Sequence, residues 1–108
     1  MMDRMAQLKE LIKQFPDDMF SRHALAMEYL KSGEDNRAKE VMLELLSKDP
    51  GHIGTYYHLG KLYERMGDLH QAKKVYTTGI DTAQTMHAAH ELRELNAALN
   101  NLLDLIEE

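Results

Sequence analysis

The side chains best suited to holding a metal or moving a proton in this 108-residue sequence are six histidines and 18 carboxylates. His87 and His90 stand three apart, with Glu91 and Glu94 following on the same predicted helix. At that spacing imidazole and carboxylate can share a zinc or nickel ion. The pattern follows no recognised helical zinc motif, however, and the sequence supplies no obvious fourth ligand. No metal is therefore expected, and these read as ordinary surface residues. His52 and His70 stand near predicted helix starts and read as structural or solvated. Ser21, Ser32 and Ser47 each lack a neighbouring motif that would activate a nucleophile, and no Gly-rich phosphate loop occurs. The acidic residues fall on predicted outer faces and helix caps, where solvation and dipole compensation account for them. With no cysteine, disulfides, thiolate zinc sites and a cysteine nucleophile are excluded. Neither a catalytic residue nor a cofactor is expected.

The elements that would position these side chains are helices. The 44% apolar and 29% charged fractions are those of a folded domain, and 108 residues suffice for one. A formal charge of −5 opposes phosphate, so no nucleic-acid partner is expected. No apolar run approaches the roughly 20 residues of a membrane span. The opening Met1-Met2-Asp3-Arg4 lacks the basic-then-apolar layout of a secretory signal, so a cytoplasmic location is expected.

Setting 17–50 above 51–84, an offset of 34 residues, matches six positions identically: Leu25/Leu59, Tyr29/Tyr63, Gly33/Gly67, Ala38/Ala72, Lys39/Lys73 and Val41/Val75. Unrelated sequence would give about two. The register runs backward through Pro16/Pro50 and Leu11/Leu45, and fails forward of Gln84. Each repeat contains two helical stretches. In the first repeat Leu25, Ala26, Tyr29 and Leu30 recur at helical spacing and end at Ser32-Gly33. Ala38, Val41, Met42, Leu45 and Leu46 then form a second stripe that Asp49-Pro50-Gly51 stops. The second repeat gives Tyr56, Leu59, Gly60 and Tyr63, a break at Gly67, then Leu69, Ala72, Val75, Tyr76 and Ile80. Asp68 with Gln71 forms a capping-box signature. Asp3 is expected to cap a leading helix with Met5, Leu8, Leu11, Ile12 and Phe15 on its covered face.

Leu59-Gly60-x-x-Tyr63, Gly67, Ala72 and Tyr76, with Leu25-Ala26-x-x-Tyr29, Gly33, Ala38 and Pro50, resemble the tetratricopeptide (TPR) pattern. Departures are Arg22, where the second repeat has the large aromatic Tyr56, and Gln84, where a proline is usual. The resemblance implies an all-α domain, a right-handed superhelix of about six antiparallel helices. Its expected parts are a leading half-repeat (1–16), repeats at 17–50 and 51–84, and a closing helix (85–108). It also implies a non-catalytic module that holds a protein or peptide segment in a concave groove. Carried over residue by residue, the groove contacts would be Phe20, His23, Met27 and Lys31, then Tyr57, His58, Lys61 and Arg65. Phe20 and Tyr57 would be apolar anchors, and Lys61 and Arg65 would orient an acidic group. His23, Met27 and His58 occupy places where chaperone-clamping relatives use lysine and asparagine, so that clamp is not expected.

The last predicted helix, from about His87 or Ala88, spaces Leu92, Leu95, Leu99, Leu102 and Ile106 by three and four, the seam of a coiled coil. Ala98, Leu103 and Leu105 widen that face. Two readings stay open: the helix docks into its own domain, or Leu95, Leu99, Leu102 and Ile106 mediate self-association. A homodimer of the second kind would borrow area from the helix predicted over 68–82.

Overall fold

A computed structural model describes residues 3–107. Six helices follow in order: α1 (Arg4–Gln14), α2 (Met19–Lys31), α3 (Asp35–Lys48), α4 (Ile53–Arg65), α5 (Leu69–Thr85) and α6 (Ala89–Glu107). The described residues contain no strand. The helices group into two compact units that divide between Asp49 and Pro50, with α1–α3 in the first and α4–α6 in the second. The division falls one residue before the expected repeat boundary at 50/51.

Local chemistry sets the helix ends. The Asp3 carboxylate accepts from the Ala6 N–H at 2.8 Å and caps α1. Asp18 accepts from the Phe20 N–H and from the buried Ser21 hydroxyl, starting α2. Asp68 accepts from the Gln71 N–H, so the capping residue read at the start of α5 acts as one. The turns after α2, α4 and α5 share one geometry. Glu34, Asp68 and Ala88 each donate a backbone N–H five residues back, to Tyr29, Tyr63 and Ala83, all at 2.9 Å. This closure needs a left-handed residue just before the donor. Gly33 (φ 79°) and Gly67 (φ 80°) fill that place, and His87 (φ 56°) fills the third. His87 therefore lies in a turn and not on α6, which begins at Ala89. Without a proline at Gln84, α5 runs to Thr85 and reaches 17 residues, against 14 for α3.

In the first unit Leu8 of α1 packs into the core with Leu25, Tyr29, Met42 and Leu45. Arg4 pairs with Glu28 at 3.0 Å, and the Lys9 ammonium lies over the Tyr29 ring, tying α1 to α2. The expected covered face of α1 is narrower than its apolar residues: Leu11 and Phe15 are exposed, because they fall outside the stripe that meets α2. Arg22 is buried and donates to the Pro16 carbonyl from Nε and Nη2, while Nη1 meets Glu44 at 2.9 Å. Its repeat counterpart Tyr56 donates its hydroxyl to the Pro50 carbonyl at 2.6 Å. Two unlike side chains thus satisfy the same backbone acceptor, six residues before each.

The second unit is built around two close approaches. A Cβ at Gly60 would lie 2.1 Å from the Tyr76 ring, so α4 and α5 meet there with no room for a methyl group. A Cβ at Gly79 would lie 2.7 Å from Tyr56 and 3.1 Å from Leu95, where α4, α5 and α6 converge. Tyr76, Ala72, Leu95 and Leu102 are all but fully enclosed as a result.

Two substitutions in α4 separate packing from helix propensity. Gly54 has open space around it, so Gly54→Ala should stabilise by up to about 1 kcal/mol. Gly60→Ala should instead cost about 1–3 kcal/mol or more, since Tyr76 cannot yield within a filled core. Urea unfolding of both variants reads the opposite signs, and equal effects would refute the crossing. At the third turn, His87→Gly should add about 1 kcal/mol by relieving a left-handed residue, measured the same way.

Candidate partner-binding site

The sequence-predicted contact residues fall on two helices, and each set occupies one helical stripe. On α2, Phe20 is 74% exposed, His23 and Met27 are half-buried, and Lys31 is exposed. On α4, Tyr57 and His58 are half-buried, and Lys61 and Arg65 are exposed.

The α4 set is held in a connected arrangement. The Tyr57 and His58 rings meet edge to face at 5.7 Å. The Lys61 ammonium stands 5.7 Å from the Tyr57 ring centre and 3.9 Å from Glu64. Glu64 in turn accepts the hydroxyl of the buried Tyr76. Burial, and then the Glu64 carboxylate, pushes the Tyr76 phenol far above its usual range, so it stays protonated and donates. A buried phenol thus fixes Glu64, and Glu64 orients Lys61.

Helix α6 completes this site. Tyr57 and Lys61 on one side, and Glu94, Ala97, Ala98 and Asn101 on the other, line a hollow of about 210 Å³. Glu94 approaches His90 at 3.6 Å. It also favours the charged form of His58, although burial outweighs it and lowers the His58 pKa below 6.5. The carboxylate considered above as a metal ligand therefore lines a groove. Among the described residues no group of three or more His, Asp or Glu side chains could hold a metal ion.

Glu94, Ala97 and Asn101 were not foreseen as groove residues, and the reason is a change of period. Helix α4 starts 34 residues after α2 (53 − 19), whereas α6 starts 36 after α4 (89 − 53). An offset of 36 aligns the buried Leu59 with Leu95 and Leu62 with Ala98. The same offset places Glu94, Ala97 and Asn101 at the positions of His58, Lys61 and Arg65. Helix α6 is thus a third first-helix, displaced by the longer α5. It also settles the docked half of its seam. Leu95 and Leu102 are 1% and 0% exposed inside the second unit, so they form core and no surface seam; Leu99 is half-buried, and Ile106 is exposed. No described helix is long and apolar enough to cross a membrane.

The lowered His58 pKa has a defined consequence for stability. The unfolded chain binds a proton near pH 6.5 that the folded chain resists, so stability is present above that pH and falls as pH drops through it. Denaturant midpoints at pH 7.5 and 5.5 should differ less in His58→Gln than in wild type. In Glu94→Gln they should differ more, because the opposing charge is gone. An unchanged slope in both variants would refute this placement of His58.

The family model described as Tetratricopeptide repeat matches residues 53–85. The crystal structure of a tetratricopeptide repeat domain protein from Salinibacter ruber is 42% identical, with 82% of this chain and 99% of that chain covered and a TM-score of 0.77. A TPR repeat-containing protein of Pseudomonas aeruginosa is 27% identical over 95 residues, 88% of this chain and 90% of its own length. The solution structure of a Bordetella parapertussis protein has the same fold, with 24% identity, a TM-score of 0.81, and 96% and 90% of the two chains covered. A 42% identical relative matched over nearly its whole length, and six helices with the repeat's glycine turns, fix the assignment: this chain belongs to the tetratricopeptide repeat family.

Proposed function

We propose that this chain is a non-catalytic adaptor that binds an extended segment of another protein along its first-helix faces. The observation that carries this is the hollow between α4 and α6, where Tyr57, Lys61, Glu94 and Asn101 offer an aromatic wall, both charges and an amide. Such a mixture suits a peptide main chain, which presents donors and acceptors together, with Tyr57 supplying contact area. Tyr57, His58, Lys61 and Arg65 form the contact set of the second unit, and Phe20, His23, Met27 and Lys31 that of the first.

An acidic side chain of the ligand belongs toward Lys61 and Arg65. Glu94 aligns with His58, seven residues from Arg65, or about 10 Å along the helix, and repels a carboxylate at its own end. Lys61 keeps capacity for a ligand, since its 3.9 Å contact with Glu64 is long and its side chain is 44% exposed. The charge pattern therefore gives the segment a direction as well as a composition.

The test is capture of a partner from native extract, followed by titration of the captured segment. Tyr57→Ala/Lys61→Ala/Arg65→Ala, folded by circular dichroism, should weaken binding at least about tenfold, or 1.4 kcal/mol. Glu94→Gln should tighten binding of an acidic segment. Undiminished binding by the triple variant would move the site elsewhere.

A further inference from the structure

At the edge of the α4–α6 hollow one carboxylate oxygen serves two partners. Oε2 of Glu64 accepts the Tyr76 hydroxyl and stands 3.9 Å from the Lys61 ammonium. An ammonium in direct contact with a carboxylate would lie at about 2.7–2.9 Å, so the carboxylate is held on its phenol side and short of Lys61. Tyr76 is 0% exposed and the Glu64 side chain 18%, so the phenol is beyond a ligand's reach while the carboxylate borders the surface. Burial keeps the phenol protonated, and it therefore only donates. The first repeat shows that packing does not require this hydroxyl. There Met42 aligns with Tyr76 and is equally enclosed, Leu30 aligns with Glu64, and Met27 aligns with Lys61. Phenol, carboxylate and cation thus occur together in the second repeat, and none of them stands at the aligned positions of the first.

We propose, on the reading that this hollow holds a partner segment, that Tyr76 is a positioning residue that sets how strongly Lys61 receives the segment's acidic group. The phenol does so without touching the segment, by holding Glu64 away from a contact ion pair with Lys61. Lys61 is 44% exposed and carries its charge beside the Tyr57 ring, where both residues line the hollow. A released Glu64 carboxylate would stand three residues from Lys61 on one helix, a spacing at which such pairs form. It would then neutralise the cation and repel an incoming carboxylate, and both effects weaken an acidic ligand. A neutral segment gains or loses little by the same change. The preference of the site for charge is therefore set from α5, behind the residues that a ligand would touch.

The probe is tetraglutamate with acetyl and amide ends, and tetraglutamine blocked in the same way is the neutral control. Each is titrated at low salt into the isotope-labelled 108-residue chain and followed by NMR. Wild type should bind tetraglutamate more tightly than tetraglutamine. Tyr76→Phe keeps the ring against Gly60 and should weaken tetraglutamate alone, by about fivefold or more. Glu64→Gln keeps an acceptor for the phenol and removes the competing charge, so it should tighten tetraglutamate. In Tyr76→Phe/Glu64→Gln the loss should vanish, because no carboxylate remains to be released. A merely structural role for Tyr76 would weaken both peptides and persist in the double variant, and either result would overturn the inference. So would a Tyr76→Phe variant that binds tetraglutamate as wild type does, or a wild type without preference for it. In those cases the adaptor reading still stands so long as Tyr57→Ala/Lys61→Ala/Arg65→Ala loses the segment captured from extract. Capture that survives the triple variant removes that reading and this inference together.

Discussion

The second unit depends on the exclusion of one methyl group. At Gly60 the Tyr76 ring occupies the space in which any other residue would place its Cβ. The ring can reach there only because the position is glycine, and the approach brings its hydroxyl to Glu64. Gly79 plays the same part for Tyr56 and Leu95 and so admits α6. In the first repeat the residues aligned with Gly60 and Gly79 are Ala26 and Leu45, and those aligned with Tyr76 and Tyr56 are Met42 and Arg22. Larger side chains on one helix accompany smaller ones across from them, as close packing requires.

The repeat also conserves a hydrogen bond while exchanging the residue that makes it. The carbonyls of Pro16 and Pro50 close the turns before α2 and α4, and each accepts from the side chain six residues on. Tyrosine satisfies its acceptor with one hydroxyl and no charge. Arginine satisfies it with two N–H groups but must bring a cation into a nearly closed site, which Glu44 offsets. What is maintained is the pairing of a backbone acceptor, and either donor achieves it.

The same economy links core to surface. Tyr76 is wholly buried, yet its hydroxyl holds Glu64, which sets Lys61 beside Tyr57 in the hollow. Helix α6 closes the core with Leu95 and Leu102 and lines that hollow with Glu94 and Asn101. Its acidic contribution makes the site mixed in charge, where α4 by itself reads as basic.

Much of the fold was legible in the sequence because it is written in local terms. The 34-residue offset, Gly33 and Gly67 in left-handed turns, the Asp3 and Asp68 caps and the proline stops each follow from backbone geometry over a few residues. The candidate set on α4 was carried over from the resemblance to the tetratricopeptide pattern, and helical spacing places Tyr57, His58, Lys61 and Arg65 on one stripe. Only the tertiary structure decided what stands opposite them. Helix α5 is three residues longer than α3 and the turn after it, where His87 takes a glycine's place, is one residue shorter, so α6 is shifted by two residues out of the repeat register. That shift hid Glu94, Ala97 and Asn101 from a search at one offset. It also left open which α6 leucines are core, because a helix with a broad apolar face does not specify which part is covered. Covering is a property of the neighbour, and here Gly79 and Tyr56 chose Leu95 and left Leu105 and Ile106 outside.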